Sequence, residues 1–134
     1  MDVNNKESYE KGIDVLKKLT DEHGISMIQS YKDISPEFTE MMISFGFGTV
    51  YTTGSLELKQ RTMLTMASLV SQGAFEQLPF HIRAAINLGI SPQEIVEVIL
   101  HCAAYAGFPK AASGMRIARD LFQELGVELP GESS

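Results

Sequence analysis

The chain has 134 residues, 44% of them hydrophobic, a single cysteine and a formal net charge of −6. That length suits one domain, spanning 1–134, that buries a core of its own, and a lone cysteine excludes an internal disulfide. The negative charge argues against a phosphate-backbone partner, which calls for clustered Lys and Arg. No apolar run nears the ~20 residues that span a bilayer, and MDVNNKESYE lacks the basic-then-apolar order of a secretory leader. A reducing cytoplasm is the expected compartment, with neither nucleic acid nor membrane as a partner.

In chain order the pattern predicts six helical segments and no strand. Residues about 5–22 carry Tyr9, Ile13 and Leu16 at helical spacing, with an end near Gly24. Ser35-Pro36-Glu37 supplies a cap, a proline for the first turn and an early acid, so a second helix starts there with Phe38, Met41, Met42 and Phe45. The stretch from Gly46 to Gly54 is expected to end it loosely. Ser55 is the expected cap of a third helix, to about Ser71, whose stripe is Met63, Met66, Leu69 and Val70. A fourth runs from about Phe75 to Leu88. Ser91-Pro92-Gln93-Glu94 reads as a capping box for a fifth, ending near Tyr105 and Gly107. Pro109 opens a sixth, to about Leu125, and the tail ELPGESS is expected to be mobile. Short connections between such helices imply an all-α bundle.

Three side chains stand out as chemistry. His81 falls on the stripe Leu78–His81–Ala85 and should face a partner helix, as a site residue or as a core histidine tied to a backbone carbonyl. Glu76 lies five residues earlier, as a helix-dipole acid or an acid at a pocket mouth. Arg61, one turn into the third helix, has the planar fork that grips a carboxylate, although most arginines on such helices are simply solvated. In EVILHCAAYAGFPKA, Glu97, His101 and Tyr105 share a face at steps of four. Cys102 lies on a neighbouring face with Ile95 and Ile99, as a buried small hydrophobe. His23, His81 and His101 have no metal-ligand spacing, and no glycine-rich phosphate loop is present. No metal and no cofactor are expected.

Three stretches, LELKQRTMLTMASL from Leu56, GAFEQLPFHIRAA from Gly73 and SPQEIVEVILHCAAYAGFP from Ser91, resemble the carboxymuconolactone decarboxylase family, which includes AhpD-like proteins. The resemblance covers nearly the whole chain. It implies an AhpD-like all-α bundle and a homotrimer or homohexamer. The family's redox branch uses a CxxC pair with a glutamate and a histidine. Matched here, the cysteines fall on Ala74 and Gln77, the glutamate on Thr62 and the histidine on His81. Only the histidine remains, and a thiol–disulfide cycle needs two sulfurs. The decarboxylase branch matches better, through Arg61-Thr62, Glu76-Gln77-Leu78 with His81, and His101-Cys102 with Tyr105 and Gly107-Phe108-Pro109. Gln77, Leu88 and Ala112 depart from that branch, as do Phe47 and Tyr51 where it often has Trp, which leaves the substrate open.

The resemblance thus implies a cofactor-independent decarboxylase acting on a small carboxylated lactone, an anionic organic substrate. Arg61 would orient a carboxylate or meet the oxyanion, His81 would deliver the proton and Glu76 would fix His81. Phe47 and Phe80 would desolvate the leaving carboxylate. Two other readings stand beside it: an oligomer with a degenerate pocket and no reaction, and a non-thiol oxidoreductase or isomerase.

Overall fold

A computed structural model describes residues 5–132, and among them every regular element is helical. The chain divides into two compact units, one ending at Leu58 and the other beginning at Lys59.

The first unit opens with α1 (Asn5–Leu19), which buries Ser8, Gly12, Val15, Leu16 and Leu19 along one face. It stops at Leu19 and not near Gly24. The reason is Asp21, which takes an extended conformation and accepts the Gly24 N–H at 2.9 Å. That cap begins a separate helix, α2 (Glu22–Gln29), so the expected single helix is two. A 3-10 turn (Ser30–Asp33) leads to Ser35, which accepts the Phe38 N–H at 3.1 Å and starts α3 (Pro36–Met41) as the serine-proline-acid signal predicts.

The expected loose ending at Gly46–Gly54 is instead a nine-residue π-helix, Met42–Val50. Single-turn π-bulges are the usual form, so a run of this length needs support. Ser44 donates to the Glu40 carbonyl and Thr52 to the Gly48 carbonyl at 2.6 Å, bonds of a kind that bends a helix. The support comes from α1. A Cβ at Gly48 would lie 2.1 Å from the Ser8 carbonyl oxygen, and one at Gly12 would lie 2.1 Å from that of Ile43. The two helices therefore meet backbone to backbone, which only glycine permits at those points.

The second unit is built from four helices. The third helix of the sequence reading is α4 (Leu58–Gln72), which begins three residues beyond Ser55. Its fully buried row is Thr62, Met66 and Val70; Met66 and Val70 belong to the expected stripe, whose Met63 and Leu69 are partly buried against the same core. Then α5 (Leu78–Asn87) starts late, because Phe75–Gln77 form a turn and Pro79 occupies the first helical turn. The capping box forms as read: Ser91 Oγ accepts the Glu94 N–H at 3.1 Å, and Glu94 Oε1 accepts the Ser91 N–H at 3.0 Å. It launches α6 (Pro92–Ala106). Gly107, at φ 97°, turns the chain into α7 (Phe108–Leu125), and Gly126 ends it in the left-handed region. The tail is more ordered than expected as far as the described residues go. Val127 N–H donates to the Phe122 carbonyl at 2.8 Å, Val127 and Leu129 pack on the core, and Pro130–Glu132 form a 3-10 turn. The last two tail residues, 133–134, lie outside the described residues. The all-α class is as predicted, with seven α-helices among the described residues where six segments were expected. No described helix is long and apolar enough to cross a membrane.

Gly48→Ala should cost about 1–3 kcal/mol of stability by overpacking. Gly46→Ala is its control, because a Cβ at Gly46 meets nothing within 4 Å. Urea unfolding of both variants checks this; equal stabilities would mean that the backbone contact is not tight.

Candidate active site

Arg61, Glu76 and His81 all belong to the second unit. Arg61 is the fourth residue of α4 and follows that helix's roll. Thr62 beside it is fully buried and points the row Thr62–Met66–Val70 into the core. Arg61 is left at the core's margin, half-buried, with its Nε closed off from solvent. The Arg61 carbonyl also accepts the Thr65 hydroxyl at 2.9 Å. Such a guanidinium has lost part of its water while keeping its full charge, since arginine does not deprotonate in proteins.

His81 is the fourth residue of α5. Leu78, Ile82, Ala84 and Ala85 are wholly buried around it and set the helix roll. The imidazole is half-buried and its Nδ1 is closed off from solvent. The Phe80 ring stands edge-on to it, with centroids 5.0 Å apart and planes at 74°. Consecutive helical positions point about 100° apart, so these two rings have turned toward each other. Desolvation lowers the His81 pKa from 6.5 to about 4. In the ligand-free protein the ring is therefore neutral at neutral pH, a good acceptor and a poor proton donor.

Glu76 does not share this environment. It lies in the turn before α5, is exposed, and makes no hydrogen bond to His81 among the described residues. The helix starts too late to carry it on the same surface. His101 and Tyr105 stand on the exposed face of α6, their rings 5.3 Å apart. Glu97 accepts the Gln93 amide at 2.8 Å. Cys102 is buried, as its helical face predicts, with its thiol 3.6 Å from the Ala67 carbonyl. No group of three or more metal-ligating side chains occurs among the described residues. A groove of about 570 Å³ belongs to the first unit, between Lys6, Tyr9, Glu10, Gln29, Lys32 and Glu40, and contains none of the three candidates. The polar residue underweighted by sequence reading is Thr62. The spacing Thr62–Met66–Val70, three positions on one helical row, was the signal for it.

Comparison with known proteins places these residues in context. The profile described as the carboxymuconolactone decarboxylase family matches residues 36–120. The chain belongs to that family. It is 30% identical to the 4-carboxymuconolactone decarboxylase of Acinetobacter baylyi over 126 residues, covering 93% of this chain and 94% of that one. It is also 30% identical to the nitrosuccinic acid decarboxylase of Metarhizium robertsii, over 87% of this chain and 82% of that one. A 15.0 kDa protein encoded between nqo9 and nqo10 in Paracoccus denitrificans is 26% identical over 72% of this chain and 74% of its own. Arg61, Glu76 and His81 all lie within the segment matched by the family. Similarity to two proteins named as decarboxylases supports a decarboxylase-like function.

The pH dependence of stability should report the dry histidine. His81 has a pKa of about 4 in the folded chain against 6.5 in its ordinary state. Between those values the unfolded chain binds a proton that the folded chain refuses, so stability is lost as pH falls through that window. In His81→Gln the loss across the same window should be shallower in urea titrations. Equal slopes in the two proteins would mean that His81 is not held neutral.

Proposed function

We propose that this protein is a decarboxylase of a small dianionic acid whose leaving carboxyl sits on a carbon conjugated or attached to an electron sink. What carries this reading is His81, a neutral, dry imidazole in the matched segment of a chain similar to two proteins named as decarboxylases. The two acids in those names share a design. In 4-carboxymuconolactone the leaving carboxyl is joined through a double bond to a lactone carbonyl. In nitrosuccinic acid it sits on the carbon that bears the nitro group. Both acids keep a second carboxylate on a neighbouring CH₂.

The reaction has two parts. The bond between the carbon and its carboxylate breaks, CO₂ leaves, and the electron pair moves into the sink as a dienolate or a nitronate. A carbon of that anion then takes a proton. The substrate's own sink holds the electrons, so the protein must supply charge stabilisation and a proton. Arg61 grips the retained carboxylate or meets the developing oxyanion with its two parallel donors. The resting His81 carries no proton to give. An entering dianion changes that, because negative charge within a few ångströms favours imidazolium. His81 thus gains its proton as substrate arrives and returns it to carbon once CO₂ has gone. Phe80 keeps water from the imidazole during this exchange, and dry surroundings favour loss of a carboxylate's charge as CO₂. Glu76, exposed and ahead of the helix, acts at the site's margin by its charge.

The test is turnover of 4-carboxymuconolactone and of nitrosuccinate by the purified protein, followed by CO₂ release and ultraviolet absorbance. His81→Ala should lower kcat by about 10²–10⁴ with its helical circular dichroism intact. Arg61→Ala should lower kcat/KM, while Glu76→Gln should have the smallest effect of the three. Failure to turn over either acid, or an unchanged kcat in folded His81→Ala, would overturn the proposal and favour a family member that assembles without catalysing this reaction.

A further inference from the structure

The groove of about 570 Å³ in the first unit holds none of the residues of the proposed reaction. Its walls carry both signs of charge. Lys6 and Glu10 come from α1, Lys32 from the 3-10 turn and Glu40 from α3. Among the described residues these four side chains make no ion pair. Glu7 and Lys11, on the same helix, do pair at 3.7 Å. Lys6 and Glu10 have that spacing in the reverse order, Lys before Glu, which holds a helical pair less well. Two cations and two carboxylates are thus left around one hollow.

The hydroxyls that line the groove are already polarised. Tyr9 Oη accepts the Gln29 amide N–H at 3.2 Å, so its own O–H is left to donate. Thr39, which is buried, donates to the Ser35 carbonyl at 3.2 Å, so its oxygen is left to accept. A donor on α1 beside Lys6 suits a carboxylate, and an acceptor on α3 beside Glu40 suits an ammonium. A dicarboxylate would gain from the two lysines and be repelled by the two glutamates, and a diamine would meet the converse. Only a ligand that carries both signs is favoured by all of the wall. The volume lies within the range of about 300–1,000 Å³ that small organic ligands occupy.

We infer that this groove binds a small amino carboxylate, a molecule with an ammonium at one end and a carboxylate at the other. The carboxylate goes to the lysines and the Tyr9 hydroxyl, and the ammonium to Glu40 and the Thr39 oxygen. The site stands apart from the proposed reaction and from its residues, so its test needs no turnover.

The experiment is calorimetric titration of the full chain with glycine, γ-aminobutyrate and triglycine, which hold their two charges at increasing separation. At least one should bind with a millimolar or lower Kd, and the side-chain amide signal of Gln29 should shift with it in proton–nitrogen correlation spectra. Succinate and putrescine, each with one sign of charge, should bind about tenfold more weakly than that zwitterion. Lys6→Gln and Glu40→Gln should each raise its Kd by about tenfold, with unchanged helical circular dichroism. Glu37→Gln, at an exposed α3 position outside the groove, should leave the Kd within about twofold of wild type. Binding of none of the three zwitterions would overturn the inference. So would succinate or putrescine binding as tightly as the zwitterion, or a Kd indifferent to both Lys6→Gln and Glu40→Gln.

Discussion

Leu78, Ile82 and Ala85 are wholly buried, and they fix the roll of α5. The position of His81 follows from that roll. It places His81 at the edge of the core, where the ring is partly accessible but Nδ1 is sealed. Charging a ring so placed costs it part of its hydration. Burial therefore sets the resting protonation state. The same core sets Arg61 through Thr62, Met66 and Val70, which anchor α4 and leave the guanidinium at the margin. Desolvation alone lowers the His81 pKa, with no charged partner contributing to the shift.

The first unit is organised by a different constraint. Two glycines let α1 and the π-helix approach until a carbonyl of one stands where a Cβ of the other would be. The π-helix widens the backbone, and the Ser44 and Thr52 hydroxyls donate to carbonyls along and beside it. Phe47 is buried and its ring lies 5.4 Å from that of Tyr51. Phe45, two residues before Phe47, is left exposed. Close backbone packing on one side thus leaves the bulky side chains of the other side facing out.

Family membership and site geometry bear on different questions. Matching residues 36–120 says which chemistry this scaffold has supported in similar proteins. Burial answers a different question, because the resting protonation state of His81 is set by this chain's own packing.

By itself the sequence determined the helical class and the helix starts with a strong local code. Ser35-Pro36 and Ser91-Pro92 with Glu94 carry their caps within four residues, so no distant contact could change them. It also placed Cys102 in the core, because the residue lies on an apolar helical face with Ile95 and Ile99. Tertiary structure decided what local code leaves balanced. Asp21 is an acid like its neighbours until an extended backbone turns it into a cap. Gly46 to Gly54 reads as a loop because glycine signals flexibility, yet α1 holds most of it as a π-helix through contacts distant in sequence. On α4 the expected stripe keeps Met66 and Val70 wholly buried and Met63 and Leu69 partly buried, and Thr62 joins the buried row. Glu76 and His81 are close in sequence but parted by where α5 begins, and that start depends on Pro79 and on Leu78 reaching the core. The neutrality of His81 belongs to this second class, because desolvation is a property of everything packed around a ring and of no residue in particular.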